Sequence, residues 1–164
     1  MSLIGTSPLR PDALEKVTGG PGYPVNVKLP GMLYGKLLRS PYPHAKIRRI
    51  DASAAAKLPG VKAVLTPADV PQRPYTPVYF VPTLAGSMVQ DMVIMSDTVR
   101  FAGQPVAAVA ATSLRIAEQA LALIDVEYEE MPAIFDPEAA MQPGAPVLHA
   151  HAPNNVAVSP AMGF

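Results

Sequence analysis

The sequence predicts an α+β fold in which two strand–helix–strand units contribute to one mixed sheet. Two observations lead to this expectation. The hydrophobic period changes twice between Thr98 and Glu130, and a shorter series of the same kind surrounds residues 52–57. In addition, 49% of the 164 residues are hydrophobic, which is enough apolar surface for one core. The 20 prolines place turns and extended loops around these units.

The C-terminal unit begins with VAAVAA at residues 106–111. This run is typical of a strand buried on both faces, although a run so short is also compatible with a helix. Thr112 and Ser113 belong to the residue types that cap helices. From Ile124 onward apolar and acidic side chains alternate, as in a strand with one face in water. We therefore predict three elements, namely strand Val106–Ala111, helix Ser113–Leu123 and strand Ile124–Tyr128.

The predicted helix of this unit carries its apolar side chains on one stripe, while its polar side chains face elsewhere. The stripe consists of Leu114, Ala117, Leu121 and Ile124. Three apolar residues of the unit are expected to be buried in the core. They are Leu114, Leu121 and Val126.

The N-terminal unit repeats the order on a smaller scale, with turn residues separating its elements. Its alanine-rich helix is capped by Asp51 or Ser53, and the proline at residue 67 suits the first turn of a further short helix. The expected elements are strand Met32–Ser40, extended Lys46–Asp51, helix Ala52–Lys57, strand Val61–Leu65 and a one-turn helix at Thr66–Asp69.

Domain boundaries are expected near residues 12 and 136. Residues 1–11 are predicted to be a flexible arm, 12–135 the folded domain, and 136–164 an extended tail that leads to a region absent from the chain. One helical turn is expected at Asp12–Lys16, and at most one short turn is expected near Pro137–Met141.

The segment between the two units is apolar, yet its prolines exclude a regular central strand. Met88–Met95 is compatible with a short strand, in which the methionines serve packing. Residues 75–95 are expected to expose an apolar surface and to favour self-association of the chain.

Composition excludes several function classes. Lys and Arg together number 13, as do Asp and Glu, so no charge excess predicts a nucleic acid or an anionic membrane as partner. The sequence has no cysteine, which excludes disulfides, thiolate metal sites and cysteine-bound iron–sulfur clusters in this chain. No apolar run approaches the roughly 18 residues of a membrane helix. The expected location is the cytoplasm.

Histidines and glycines offer three candidate sites, and each has a structural interpretation. His149 and His151 lie on one side of an extended tail, but a zinc or copper site needs a further ligand that the sequence does not reveal. His44, beside a turn, is interpreted as structural rather than catalytic. Gly19-Gly20-Pro21-Gly22 is a bend rather than a phosphate loop, because Pro21 lacks an amide donor and no helix pattern follows.

Charged residues form two further candidates. The alternation of the acidic set with apolar residues predicts the solvated face of an edge strand, rather than an acid–base centre. The basic set is compatible with a phosphate or an acidic neighbour as partner, but a solvated strand face is the favoured interpretation. The acidic set is Asp125, Glu127, Glu129 and Glu130, and the basic set is Arg39, Lys46, Arg48 and Arg49.

Four stretches in the same order resemble the molybdenum hydroxylases, which include xanthine dehydrogenases, aldehyde oxidases, carbon monoxide dehydrogenases and 4-hydroxybenzoyl-CoA reductases. Together they cover almost the whole chain. The sequence departs from the family at Gly20–Asn26, where GPGYPVN replaces an aromatic residue followed by acidic residues. The matching stretches are RPDALEKVTG at Arg10–Gly19, LPGMLYGKLLRSPYPHAKI at Leu29–Ile47, Asp51–Pro71, and Val99–Glu130 with its VRFAGQPVAAVAA.

The resemblance implies the α/β-hammerhead fold, the small N-terminal domain of the family's large subunit. It implies a parent enzyme that binds molybdopterin with molybdenum and acts on aromatic, purine, aldehyde or CoA-thioester substrates. Iron–sulfur clusters and often FAD belong to other domains or subunits of the family. The family's cofactor and catalytic segments lie beyond this domain, so no catalytic, cofactor-binding or metal-binding residue is assigned. Gly103, Gln104 and Pro105 match the family best, in the role of a turn.

Two functions follow as hypotheses. In the first, the chain is the hammerhead part of such an oxidoreductase, made as a fragment or encoded separately, and by itself it neither binds molybdenum nor oxidises purines or aldehydes. Its partners are then the molybdopterin-binding domains and the iron–sulfur and flavin subunits. In the second, it is a free-standing assembly or binding module without chemistry. The chain ends within a loop, and this favours a fragment.

Overall fold

The computed structural model describes residues 4–20, 22–75 and 91–156, and the chain divides into two compact units, Met1–Met32 and Leu33–Phe164. The first unit contains helix α1, Ala13–Thr18, and a 3-10 helix at Pro24–Asn26. Helix α1 confirms the predicted helical turn and ends at Gly19, whose φ of 75° is left-handed.

The described residues of the second unit form two three-stranded sheets and three α-helices. The first sheet has the order β1–β5–β3, and the second has the order β4–β2–β6. The strands are β1 Tyr34–Arg39, β2 Ala45–Asp51, β3 Val61–Leu65, β4 Thr98–Val99, β5 Pro105–Ala111 and β6 Asp125–Glu130. The helices are α2 Ser53–Lys57, α3 Leu114–Leu121 and α4 Pro137–Ala140, and a 3-10 helix spans Pro67–Asp69.

The α+β fold class and both strand–helix–strand units are confirmed, but the sheet arrangement differs from the prediction. Instead of one mixed sheet, the described residues form two sheets in which every strand pair is antiparallel. The reason lies in the helices, which cross from one sheet to the other. Helix α2 joins β2 of the second sheet to β3 of the first, and α3 joins β5 of the first to β6 of the second.

The main core lies between the first sheet and the helices α2 and α3. Ala107, Val109 and Ala111 project from the central strand β5 toward the helices, and all three are buried. Ala117 and Ala120 of α3 are fully buried against them. Because alanine side chains are short, the helix backbone comes close to the sheet. The interior of this layer is therefore built largely from alanine.

The predicted helix stripe is partly wrong. Leu114 is 45% exposed, because it is the first residue of α3 and the buried face runs through Ala117 and Ala120 instead. Leu121 and Val126 are half-buried and pack on the main core. Helix α3 also stops at Leu121, before the predicted end.

A second core lies on the inner face of the second sheet. Ala45, Ile47 and Val99 are buried there together with Val106 from the start of β5. Tyr42 and Tyr128 pack at its margin, with ring centroids 5.1 Å apart. Burial raises the pKa of Tyr128, while a hydrogen bond with Ser40 opposes the shift.

Two helix starts are fixed by side chains as the sequence predicts. The Ser113 hydroxyl accepts a hydrogen bond from the Ile116 amide at 3.2 Å, which caps α3. Thr66 and Asp69 form a capping box around the 3-10 helix, and the hydrogen bond from Thr66 lowers the pKa of Asp69.

The chain after β6 forms α4 and then turns as far as Val156. Asn155, at a φ of 56°, fixes these turns: its side-chain amide donates to the carbonyls of Ala140 and Pro146, both at 2.9 Å. The predicted turn near Pro137–Met141 is confirmed. Residues 136–156 are not extended as predicted. Hydrogen bonds from the Asn155 side chain hold this part of the chain in turns.

Candidate functional site

A broad apolar surface of the second unit is the face of the first sheet that points away from α2 and α3. It lines an open trough of about 400 Å³. Leu37 and Leu65 on this face are 43% and 41% exposed. We call this surface the open face. It consists of Gly35, Leu37, Ala63, Leu65, Ala108 and Ala110.

Strand register explains the trough. The pairs Gly35–Ala110 and Ala63–Ala110 form one row of small residues across the sheet. The next row pairs Leu37 and Leu65 with Ala108, so leucines flank a central alanine. An antiparallel sheet with one face in water normally alternates apolar and polar residues. Here both faces are apolar, which indicates that the open face is made to be covered.

Gly35 supports the same interpretation. A Cβ atom built on this glycine would meet nothing within 4 Å, and its φ is not left-handed. Nothing in the packing of the described residues therefore requires glycine at this place in β1. A glycine within a strand often marks a close approach by another backbone.

The acidic residues of β6 lie on the solvated face of an edge strand, as the sequence predicts. Arg48 pairs with Glu129, and Arg49 contacts Asp125 at 2.8 Å and Glu127 at 3.8 Å. All these side chains are half or more exposed, so each pair contributes little stability. These ion pairs neutralise two of the four residues of the basic set, Arg48 and Arg49. None of them is an isolated acid–base pair.

The turn at Gly103-Gln104-Pro105 connects the two sheets and is held in place by hydrogen bonds. The Gln104 side chain accepts from the Arg100 amide at 2.8 Å and donates to the Thr98 carbonyl at 3.0 Å. Arg39 donates to the Gly103 carbonyl at 2.8 Å. The structure thus places these residues in the turn that leads from β4 into β5.

His44 occupies a structural position. Its side chain is buried, and its Nδ1 atom lies 2.6 Å from the Pro132 carbonyl oxygen. Its own carbonyl accepts from the Met131 amide at 2.9 Å. These bonds join the start of β2 to the chain that leaves β6.

His149 and His151 meet a third candidate ligand that sequence reasoning missed. The two rings lie 5.4 Å apart, and Asp91 Oδ2 lies 3.7 Å from His149 Nδ1. One ligand atom from each of the three residues lies within 4.8 Å of the others. A turn brings the histidines together, rather than alternation in an extended tail, since the Ala152 amide donates to the His149 carbonyl at 2.9 Å.

The charge state of His149 is set by its surroundings. Burial lowers the pKa of His149, and the positive charge of Arg100 lowers it further, whereas Asp91 opposes the shift. The imidazole is therefore neutral at neutral pH, and a charged pair with Asp91 forms only in acid. No local pattern signals this contact, because Asp91 lies far from both histidines in the chain.

The glycine run after α1 closes a helix and does not begin one. The Gly20 amide donates to the Glu15 carbonyl at 2.8 Å, which is a helix C-terminal bond. A phosphate loop needs the opposite polarity, with free amides at a helix start.

Among the described residues, no helix combines the length and the apolar character needed to cross a bilayer. The cytoplasmic location stays a prediction.

Comparison with known proteins assigns the fold to a family. The family model described as "Aldehyde oxidase and xanthine dehydrogenase, a/b hammerhead domain" matches residues 18–132. The chain belongs to this hammerhead family. The expected resemblance is thereby confirmed for most of the chain, and the departure at Gly20–Asn26 falls inside the matched range.

The relatives of this hammerhead domain are much longer proteins. The chain is 44% identical over 144 residues to a probable xanthine dehydrogenase subunit of Bacillus subtilis, covering 87% of the chain and 18% of that relative. Among solved structures, quinoline 2-oxidoreductase from Pseudomonas putida 86 is 39% identical to the chain, with a TM-score of 0.74. The match covers 86% of the chain and 18% of that protein. The Cu,Mo-CO dehydrogenase is 37% identical, with a TM-score of 0.71, and the match covers 87% of the chain and 17% of that protein.

The chain therefore spans less than a fifth of the length of these relatives. The predicted boundaries at residues 12 and 136 stay predictions, and the expected apolar surface at residues 75–95 lies mostly outside the described residues. Within that segment, Tyr75 and Met92 form an isolated antiparallel bridge, Met95 is buried and Ile94 is exposed.

Proposed function

We propose that this chain is the hammerhead part of a molybdenum hydroxylase large subunit and that its open face packs on the remainder of that subunit. One observation carries the proposal: the first sheet has a face that no described element covers, and this face is built from glycine, alanine and leucine. The family membership supports the remainder of a large subunit as the cover of this face. The relatives contain more than four-fifths of their length outside the region that this chain matches.

The chemistry of the open face fits a protein neighbour. Covering apolar surface stabilises a complex by roughly 25 cal/mol per Å². Leu37 and Leu65 project from the sheet, whereas the row through Gly35 and Ala110 has short side chains. Another structural element can therefore pack closely on that row. The same side chains offer no donor to a phosphate or a pterin. We therefore assign no molybdopterin ligand to this surface.

The proposed activity of the parent assembly is oxidation at a molybdenum centre held outside this chain. The names of the relatives connect them with xanthine, quinoline and carbon monoxide, and one solved relative contains molybdenum and copper. Iron–sulfur clusters would reside on other domains or subunits, since this chain has no cysteine to hold a cluster. The proposal also assigns the flavin to another domain or subunit. In this proposal the substrate is chosen by residues beyond the hammerhead domain.

The test is isolation of the native assembly through a tag on this chain. The expected assembly contains a molybdopterin-binding polypeptide, joined to this chain or separate, and about one molybdenum per large subunit by elemental analysis. It reduces a redox dye with a purine, aldehyde, aromatic heterocycle or carbon monoxide. The free 164-residue chain should contain no molybdenum.

Two results would overturn the proposal. One is a native assembly without molybdenum. The other is a free chain that forms a stable dimer through the open face in sedimentation experiments, because a second copy would then supply the cover. Either outcome would favour the free-standing module.

A further inference from the structure

Asp91, His149 and His151 lie outside the open face and outside the core, and neither the fold nor the proposed function uses them. The cluster adjoins a cavity of about 280 Å³. The cavity is lined by Asp91 and His149 together with Tyr75, Arg100, Phe101 and Gln104, among others. Asp91 and His149 are half-buried, and His151 is exposed.

We propose that Asp91, His149 and His151 form a three-ligand site for a divalent first-row transition cation such as Zn²⁺. The donor set consists of two imidazole nitrogens and one carboxylate oxygen. Zinc sites with an open fourth position use such sets, whereas Mg²⁺ and Ca²⁺ prefer oxygen ligands throughout. The cation would join the chain segment around Asp91 to the turns after α4.

Geometry allows the three atoms to close on one ion. Ligand atoms bound to a tetrahedral zinc lie about 3.4 Å apart, because each is about 2.0–2.2 Å from the metal. The Asp91–His149 distance of 3.7 Å already comes near this value. The longest separation in the cluster is below 4.8 Å. Rotation of the exposed His151 side chain is the adjustment that remains.

Hydrogen bonds hold the backbone around the histidines. The Leu148 amide donates to Asn155 Oδ1 at 3.0 Å, and Arg100 Nε donates to the Leu148 carbonyl at 2.9 Å. On the other side, Tyr75 and Met92 exchange two backbone bonds next to Asp91. The ligands are therefore carried by positioned segments, which reduces the entropy lost on binding.

Charge at the site both favours and limits the cation. The two imidazole rings supply nitrogen lone pairs, and Asp91 supplies one negative charge. Arg100 acts against a cation through its positive charge. The affinity should therefore be lower than that of a four-ligand structural zinc site.

The test is a zinc titration of the full 164-residue chain after removal of any affinity tag, with a chromophoric chelator as competitor. We expect one Zn²⁺ per chain and no comparable binding of Mg²⁺. Loss of even an outer partner of a metal ligand weakens binding about tenfold or more. The ligand variants Asp91→Asn, His149→Gln and His151→Gln should each lose at least that much. Glu138→Gln, which removes an exposed carboxylate of α4, should bind as the wild type does.

The third histidine gives an internal control. In nitrogen-detected NMR of the imidazoles, Zn²⁺ should shift the signals of His149 and His151 and leave His44 unchanged, because His44 is buried against Pro132. Circular dichroism of each variant establishes that it is folded. Retained affinity in a folded His149→Gln chain, or a shift at one histidine alone, would overturn the site.

Discussion

The two faces of the first sheet have similar apolar compositions but different surroundings. On one face, Ala107, Val109 and Ala111 are covered by α2 and α3 and are almost inaccessible to water. On the other, Ala108 and Ala110 belong to the same strand, yet Leu37 and Leu65 beside them remain more than 40% exposed. The difference is therefore in the cover and not in the residues of the sheet.

The covered face and the open face of the sheet contribute to different processes, namely folding and assembly. A face that the chain covers itself contributes to the stability of the free chain. A face that another part of a larger protein covers contributes only when that part is present. Substitutions on the two faces should consequently affect two different measurements.

The largest expected effect comes from placing the same charge on adjacent residues of β5. Ala107→Asp puts an unpaired carboxylate in the main core, which costs about 3–5 kcal/mol and can abolish folding of the chain. Ala108→Asp puts it on the open face in contact with water, at a cost of about 1 kcal/mol or less. Chemical denaturation of the free chain measures both. Equal losses would show that the open face is already covered within the chain.

A smaller effect is expected where α3 meets the turn before β3. Gly60 has a φ of 95°, and a Cβ atom there would lie 2.7 Å from Ile116 Cδ1 and 2.9 Å from Thr112 Oγ1. Gly60→Ala should lower the free energy of unfolding by about 2–4 kcal/mol, from backbone strain and overpacking together. Gly103→Ala is the matched control, because Gly103 has a φ of 88° with nothing within 4 Å.

The control Gly103→Ala should lower the free energy of unfolding only by the backbone strain, about 1–2 kcal/mol. Thermal or denaturant unfolding of the two variants gives the comparison. If Gly103→Ala were as costly as Gly60→Ala, close packing of Ile116 would not contribute to the covered face.

The smallest of these effects concerns the cap of the covering helix. Ser113→Ala removes the acceptor for the Ile116 amide and should cost about 1 kcal/mol. Ser113→Asp keeps an acceptor at the same position and should restore most of the loss. Denaturation curves with unchanged slopes would measure this directly. No difference between the two variants would mean that the hydrogen bond does not stabilise α3.

Local patterns in the sequence predict several of the elements. The alternation after Ile124 predicts β6, and the serine at residue 113 predicts the start of α3, because both signals depend on neighbours in the chain. The stripe through Leu114 misled, because short Ala117 and Ala120 carry the close contact with the sheet. The size of the side chains, and not their hydrophobicity, decides which face of α3 packs this closely on the sheet.

Contacts between distant segments explain what sequence reasoning missed. Which strands pair depends on where α2 and α3 lead the chain, so the division into two antiparallel sheets was not visible beforehand. The open face appears only when Gly35, Ala63 and Ala110 are aligned in register. Asp91 likewise joins the histidines only in the folded chain.

The substitution Gly35→Val tests the proposed role of the open face most directly, through two measurements on the same protein. Because glycine within a strand costs about 0.5–1 kcal/mol relative to alanine and β-branched residues favour strands, the free chain should be as stable as the wild type or more so. The added side chain projects into the trough that the rest of the large subunit is proposed to fill. Ala56→Val, on the exposed surface of α2, is the control for added bulk.

In the native assembly, Gly35→Val should lower the amount of co-isolated molybdopterin-binding polypeptide, or the molybdenum content of the subunit, while Ala56→Val should leave both unchanged. A Gly35→Val chain that assembles with full molybdenum content would show that the open face is not the surface that meets the rest of the large subunit.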